Sequence, residues 1–352
     1  MTTHRIAVYP GDGIGVDVTA EAVGVLEAVA DASDFALDLV ELPWGANYHA
    51  RHGSVVPDDY LETLRTFDAI LLGACGWPAT LPDHVTLAPL VRIRQAFDQY
   101  VCMRPSKLYT GVTGPLCDKG PDDVDFVVLR ENSEGEYVDL GSRHHPGQPD
   151  EFALQTAVHT RRGVERILRF GFDMAQQRRR RLTMITKSNA QRYGYGLWDD
   201  VFAEIRGEFP EIETDKQHAD AAAMNLVRCP ERFDVVVASN LFGDILTDLA
   251  GTVAGGLGLA ASTNINPERT SPSMFEPVHG SAPDIAGRGI ANPIAAILSA
   301  AMMLDWLGER PAAATIRRAV ERTLADGKAT PDLGGELTTV QMGDEVVRRL
   351  GD

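Results

Sequence analysis

Asp244 and Asp248 stand four residues apart, directly after the apolar run Phe233-Asp234-Val235-Val236-Val237-Ala238. The β-branched run reads as a buried strand and Asn240 to Gly251 as the helix that follows, which places both carboxylates on one helical face at the strand's carboxyl end. Ligands of open α/β sheets bind at such ends. Two carboxylates on one face repel each other by roughly 0.2–0.5 kcal/mol, and a cation between them relieves this. Oxygen-only ligands select Mg²⁺ or Mn²⁺ over Zn²⁺. A solvated acidic face is the other reading of an isolated Asp-x-x-x-Asp.

Three arginines could complete such a site for an organic acid. Arg94 lies in Val91-Arg92-Ile93-Arg94, Arg104 in Cys102-Met103-Arg104-Pro105, and Arg130 follows the strand-like run Phe126-Val127-Val128-Leu129. A guanidinium is a planar fork suited to bidentate carboxylate binding, so three converging would hold a di- or tricarboxylate. Taken singly, each is a surface ion-pair partner. The loop Pro10-Gly11-Asp12-Gly13-Ile14-Gly15 follows the first strand, but its spacing is G-x-G-x-G and not the G-x-G-x-x-G of a pyrophosphate cradle. A tight strand-to-helix turn is its plain reading.

These residues must be carried by a large α/β framework. Strand-like runs (Ile6 to Tyr9, Ala36 to Glu41, Ala69 to Leu72) alternate with helical patterns such as Val16 to Ala30, predicting a helix-covered sheet, largely parallel in its first part. With 352 residues, 44% hydrophobic, the chain exceeds what one core usually supports, so two lobes are expected. Fifty acidic against 33 basic residues give a formal charge of −17, which disfavours nucleic acid and anionic membrane as partners. The one basic run, Arg178 to Arg181, interleaves no aromatics and reads as a solvated turn. Cys75, Cys102, Cys117 and Cys229 are scattered, which fits neither a disulfide framework nor a zinc knuckle and suits a reducing cytoplasm. The N-terminus lacks the pattern of an export leader, so a cytoplasmic location is expected. Leu249 to Ser262 and Pro293 to Leu307 are apolar but suited to a core and not to a membrane span. Between Gly135 and Asp150 the alternation lapses into Gly, Ser, His and Pro, an excursion that suggests a subunit clasp, with His144 and His145 as exposed loop residues.

Four separated motifs, in order, resemble the metal-dependent, NAD-linked β-decarboxylating dehydrogenases, the isocitrate and isopropylmalate dehydrogenase family. They are 130–137 (Arg-Glu-Asn-Ser-Glu-Gly-Glu-Tyr), 186–189 (Thr-Lys-Ser-Asn), 240–248 (Asn-Leu-Phe-Gly-Asp-Ile-Leu-Thr-Asp) and 276–287 (Glu-Pro-Val-His-Gly-Ser-Ala-Pro-Asp-Ile-Ala-Gly). The resemblance implies an α/β fold of two lobes. The large, NAD-binding lobe would comprise 1–100 and 251–352, and the small lobe 101–250, with the dimer clasp at about 135–155. It implies a homodimer with shared sites: Asp244 and Asp248 hold Mg²⁺ or Mn²⁺ together with Asp220 from the other subunit, and a monovalent cation such as K⁺ is a further expectation. Arg94, Arg104 and Arg130 clamp the substrate's carboxylates. Lys187, also from the partner, assists removal of the hydroxyl proton, and Tyr137 serves as the later acid. Physically, a cation chelated by hydroxyl and carboxylate lowers the hydroxyl pKa, and Lys187 beside it should be depressed into the range useful for a base.

The resemblance also implies the coenzyme contacts. His279, Gly280, Ser281, Ala282, Asp284, Ile285 and Asn292 would wrap the adenosine half, with Asp332 and Ile14 alongside and Asn189 near the nicotinamide. An acidic Asp284 would accept from a ribose 2′-hydroxyl and repel a 2′-phosphate, which implies NAD over NADP. In the specificity segment before Arg94, residues 76–90, neither the isopropylmalate nor the isocitrate pattern is present. Gly76-Trp77-Pro78 and Pro82-Asp83-His84 instead resemble the tartrate and D-malate dehydrogenase branch, as do Trp44-Gly45, 97–100, 215–218 and 230–234. Ala88 and Pro89 replace the Trp-Gly of that branch. The expected reaction is oxidative decarboxylation of D-malate, giving pyruvate and CO₂, or of tartrate. Isopropylmalate oxidation and a catalytically silent regulatory subunit are the alternatives.

Overall fold

The computed structural model describes residues 2–351. The chain begins with β1 (Thr2–Gly11), α1 (Ile14–Asp31), β2 (Phe35–Glu41), two short helices α2 (Ala46–His52) and α3 (Tyr60–Leu64), β3 (Ala69–Ala74) and α4 (Asp83–Ala96). Strands β4 (Val101–Lys107) and β5 (Asp125–Glu131) lead to a hairpin of β6 (Gly141–His144) and β7 (Phe152–Gln155), then α5 (Arg161–Gln177), β8 (Arg181–Thr186), α6 (Gly194–Ile205), β9 (Glu213–His218) and α7 (Ala219–Arg228). The last part carries β10 (Val235–Ala238), α8 (Asn240–Val253), β11 (Ala261–Ile265), β12 (Ser273–Pro277), α9 (Ile294–Leu307), α10 (Arg310–Ala325) and α11 (Thr339–Arg348).

Ten strands form one sheet in the order β2-β1-β3-β12-β11-β4-β5-β10-β8-β9. The first four pair in parallel, as do the last four, and the three pairings between them (β12 with β11, β11 with β4, β4 with β5) are antiparallel. Three reversals make the two parallel blocks run in opposite directions. Their carboxyl ends therefore lie at opposite sheet edges, and the antiparallel seam joins them. Helix α9 is apolar on every side and almost entirely buried, which is why it reads as core and not as an amphipathic surface helix. No helix among the described residues is long and apolar enough to cross a membrane.

Side chains alternate across the seam. On β4, Cys102, Arg104 and Ser106 face α8, whereas Met103, Pro105 and Lys107 face a cavity of about 350 Å³ on the other side, walled by Leu259, Leu298 and Met302. One face of the seam thus carries the buried arginine Arg104, and the other a cavity of mixed apolar and charged lining that includes Lys107, Asp125 and Glu321.

The fold bears on three local readings. The glycine loop is a tight turn: Gly11 and Gly13 have φ of 72° and 59°, and a Cβ on Gly13 would lie 2.0 Å from the Ser281 carbonyl oxygen. The basic run is a turn with Arg179, Arg180 and Arg181 exposed, but it is anchored. Arg178 Nε donates to buried Asp234 at 2.8 Å and Arg178 Nη2 to Asp125 at 2.8 Å, while the Arg179 backbone N–H donates to Asp234 at 2.8 Å. A buried carboxylate needs such partners, so Asp234 draws the run onto the end of β10. The 135–150 excursion contains the first strand of the β6–β7 hairpin, whose strands are exposed throughout; His144 stacks on Phe152 with centroids 4.6 Å apart. The four cysteines are free.

Glu21 on α1 packs against Gly343 of α11, where a Cβ would fall 1.9 Å from its carboxylate. Burial, with Asp344 and Asp17 nearby, raises its carboxyl from the ordinary 4.5 to about 7. The native state then binds more protons than the unfolded chain between those values, so stability is lost as pH rises through this window. Glu21→Gln is expected to raise unfolding stability at pH 8 by about 1 kcal/mol, allowing for partial exposure, and to leave it unchanged near pH 4, as read by urea denaturation.

Candidate active site

Arg130 ends β5 and Arg104 sits mid-way along β4, and neither is a surface ion-pair residue: both are buried. Two guanidiniums buried side by side require an anion, and α8 supplies it. Asp244 Oδ1 accepts from Arg130 Nη1 at 2.5 Å and from Arg104 Nη1 at 3.2 Å, while Oδ2 accepts from the Tyr137 hydroxyl at 2.9 Å. Asn240 Oδ1 accepts from Arg130 Nε and Nη2 at 3.0 and 2.7 Å, and Thr247 Oγ1 accepts from Arg104 Nη1 at 2.5 Å. Residues 240, 244 and 247 share one face of α8 because they are four and three apart. Gly243 lets that face close on β5, since a Cβ there would lie 2.6 Å from Arg130 Cγ.

Asp248, one turn on, is different. Its carboxylate has no hydrogen-bond or ion-pair partner among the described residues, and burial with the neighbouring Asp244 charge raises its carboxyl above the usual range. Burial also pushes Asp244 up, but Arg130 and Arg104 outweigh it and hold the group below its ordinary value. The Tyr137 hydroxyl is raised by burial and by Asp244, so it keeps its proton. Arg94 on α4 reaches the same face of the seam and donates to Glu276 Oε1 at 2.8 Å; its Nε, like that of Arg104, is buried with no acceptor.

Lys187 follows β8 and Asp220 opens α7, and the two pair with each other at 2.7 Å. Neither makes a hydrogen bond or ion pair to the Asp244 group, and among the described residues no three His, Cys, Asp or Glu side chains form a metal-holding cluster. Within one chain the expected set is thus in two parts.

The expected coenzyme residues lie along the turn after β12. The Ile14 backbone N–H donates to the Ser281 carbonyl at 2.8 Å, which docks the glycine loop on the 279–285 turn, and Ala282 adopts φ 38°. His279 Nε2 is buried without a partner, and burial lowers that imidazole's pKa. Gly280 and Asp284 are exposed and Ile285 half-buried. Asn292 Nδ2 donates to Asp332 Oδ2 at 3.1 Å, which joins the turn to the 331–333 segment. Asn189 stands apart, exposed on the Lys187 turn.

Several supporting residues carried no role in the sequence reading. Glu276 accepts from both Arg94 and, at 2.7 Å, Asn264, and Asn240 and Thr247 orient the two buried arginines. Buried Asp12 accepts from the backbone N–H groups of Ala46 and Gly76 at 2.7 and 3.0 Å, tying three loops together. The only signal for Asp12 was a carboxylate set among glycines, where backbone N–H groups come close.

The match to the isocitrate/isopropylmalate dehydrogenase description spans residues 5–346. The chain belongs to this family. It is 50% identical to the D-malate dehydrogenase [decarboxylating] of Escherichia coli (strain K12), over 99% of each chain. It is 48% identical to the tartrate dehydrogenase/decarboxylase of Pseudomonas putida, over 97% of each. The isocitrate dehydrogenase of Methylococcus capsulatus superimposes with a TM-score of 0.88 at 38% identity, covering 99% of this chain and 100% of that one. As a member of the isocitrate/isopropylmalate dehydrogenase family, the chain is a decarboxylating dehydrogenase with a mixed α/β fold.

Glu276→Ala removes the only carboxylate paired with Arg94 among the described residues and is expected to cost about 3–5 kcal/mol of unfolding free energy in urea, the range for leaving a buried charge unpaired. Glu276→Gln keeps an acceptor for Asn264 and is expected to lose less than half as much.

Proposed function

We propose that the chain is an NAD-linked, divalent-metal-dependent enzyme that oxidatively decarboxylates a 2-hydroxy diacid, D-malate or tartrate, as a homodimer whose sites are shared. The carrying observation is the contrast between two carboxylates one turn apart: Asp244 saturated by Arg104, Arg130 and Tyr137, and Asp248 exposed, with no hydrogen-bond or ion-pair partner among the described residues. An oxygen-only pair with one unpaired member suits Mg²⁺ or Mn²⁺, and a cation drawing on Asp244 frees two guanidiniums for the substrate. Asp220 would complete the donor set from the partner subunit. A monovalent cation such as K⁺ is an added requirement to be tested alongside.

NAD fits the turn after β12. His279, with a buried nitrogen lacking a partner, Gly280, Ser281, Ala282 and Ile285 would line the adenosine, joined by Asn292, Asp332 and Ile14, with Asn189 toward the nicotinamide. Asp284 is exposed and without an ion-pair partner, free to accept from a ribose 2′-hydroxyl and to repel a 2′-phosphate. When bound, the divalent cation would polarise the substrate's hydroxyl and the nicotinamide would take the hydride from C2.

The chain's own residues do the rest. Arg104 and Arg130, released from Asp244, and Arg94 grip the two carboxylates. Lys187 accepts the hydroxyl proton, and Tyr137, held in its protonated form, delivers a proton to the carbon left after CO₂ departs. Specificity follows from α4. Leu87, two turns from Arg94 on the same face, is exposed and apolar, while Thr86 is turned inward and donates to the Asp83 carbonyl. Leu87 puts an apolar side chain between His84 and Arg94 on that face, which, with the likeness to the D-malate and tartrate relatives, favours the four-carbon diacids over isocitrate.

Sharing of the site rests on the separation of Lys187–Asp220 from Asp244 in one chain, and on apolar side chains left bare. Met224 and Val227 on α7, Ile245 on α8, and Leu140, Phe152 and Leu154 at the hairpin are exposed, as a two-fold interface would use them.

Purified protein is expected to produce NADH from D-malate or tartrate with Mn²⁺, and at least ~100-fold less from isocitrate, in kcat/KM by absorbance. Chelation should abolish the rate and Mn²⁺ restore it. For the shared site, Lys187→Met and Asp248→Ala subunits, each inactive as homodimers, are expected to regain about a quarter of wild-type activity when co-expressed, because half the dimers are mixed and each holds one intact site. Recovery no greater than the sum of the parents would place the site within one chain.

A further inference from the structure

We infer that Asp199 is the positioning residue for Lys187, holding the residues on either side of it, and that through Lys187 it serves the active site of the partner subunit. The clause on the partner rests on the shared site proposed above; the geometry of the pinning is that of one chain.

Asp199 lies on the second turn of α6, and its carboxylate meets the segment after β8 from below. Thr186 Oγ1 donates to Asp199 Oδ1 at 2.7 Å, and Ser188 Oγ donates to Oδ2 at 2.8 Å. These are the chain neighbours of Lys187 on both sides. The Ser188 backbone N–H donates in turn to Thr186 Oγ1 at 3.3 Å, and the backbone N–H groups of Ala190 and Gln191 both donate to the Lys187 carbonyl at 2.9 Å. The Lys187 backbone is thereby fixed at three consecutive residues with one carboxylate at the centre. Asp199 has no like charge against it, since Lys216 Nζ from β9 donates to Oδ2 at 2.7 Å.

The arrangement has a purpose beyond local packing. Lys187 follows the last residue of a strand, where the chain leaves the ladder and nothing in the sheet defines its direction. A long side chain on a free turn samples many rotamers, and a base displaced by 1 Å can lose about 100-fold in rate. Two hydroxyl donors to one carboxylate convert that turn into an extension of the rigid β8 edge. Desolvation acts to raise the Asp199 carboxyl, yet Lys216 and the two hydroxyls more than reverse it, so the group stays ionised and keeps both bonds. The sequence offered no hint, because Asp199 falls in Leu197-Trp198-Asp199-Asp200, where an acidic residue on a helix is ordinarily a solvated one.

The test is complementation between co-expressed subunits, with kcat and KM measured for each homodimer. Asp199→Ala is expected to lower kcat by roughly 10–100-fold with KM for the hydroxy acid changed less than about 3-fold, since the arginines still bind the substrate. Asp199→Asn, which can accept from one hydroxyl and donate to the other, is expected to recover most of the lost rate. Asp199→Ala should complement Asp248→Ala, because the lesion travels with Lys187, and should fail to complement Lys187→Met. An Asp199→Ala enzyme with kcat within 2-fold of wild type, or one that complements Lys187→Met and not Asp248→Ala, overturns the inference. Failure of Lys187→Met and Asp248→Ala to complement each other would instead overturn the shared site, and the kcat and Asn-rescue arms would still decide the role of Asp199.

Discussion

Two buried guanidiniums cannot lie against one another without a carboxylate between them, and Arg104 and Arg130 both end on the same oxygen of Asp244. Their mutual repulsion at such separations is several kcal/mol in a partly desolvated setting, and leaving either unpaired costs about 3–5 kcal/mol. The rest of the site is arranged around that debt. Gly243 brings α8 close enough for Asp244 to reach both arginines, Asn240 accepts from Arg130 and Thr247 from Arg104, and Tyr137 occupies the other Asp244 oxygen. Asp244 is the anion on which both guanidiniums now close. On the function proposed above, Asp244 and Asp248 would hold the divalent cation, and substrate carboxylates would take the place of Asp244 on the arginines.

The sheet explains why this happens at its centre. Three antiparallel pairings put β11, β4 and β5 between two parallel blocks, and cross-strand partners point the same way. Asn264, Cys102 and Arg130 stand in one row of that register, and Glu276 and Ser262 in another. One face of the seam is consequently lined with residues from both ends of the chain, which brings Arg94 to Glu276 and the glycine loop to Ser281 across long stretches of sequence. The opposite face carries Met103, Leu259 and Leu298 together with the charged Lys107, Asp125 and Glu321.

What could be read from the sequence divides along the same physical line. Asp244 and Asp248 were legible because a helix repeats every 3.6 residues and a β-branched run precedes it. The strands β1, β2 and β3 and the helix α8 lie within a few residues of where periodicity puts them. Convergence of the arginines was not legible, since it depends on the β4–β5 register, which pairs Cys102 with Arg130 and has no local signature. Asp12, Glu276 and Asp199 act through backbone N–H groups or through side chains 11 to 182 residues away, and such partners leave no spacing to detect. The anchoring of the basic run at 178–181 was not legible either, because Asp234 lies on another strand's approach, 56 residues on from Arg178.

Charge balance bears on what this site can accept. Arg94, Arg104, Arg130 and Lys187 face Glu276, Asp244, Asp248 and Asp220, four cations against four carboxylates, so on the proposed assembly the protein's share is neutral. A divalent cation arriving with a dicarboxylate would keep it neutral before the coenzyme is counted, and the positive nicotinamide ring of NAD would add one charge. A tricarboxylate would bring one further negative charge that this ring would offset, so charge by itself does not separate the two classes of acid. What separates them on our proposal is the lining of α4, where Leu87 is exposed and Thr86 is turned into the core. An apolar side chain there contributes contact and no hydrogen bond, so it gains nothing from a third carboxylate and leaves that group's lost hydration uncompensated.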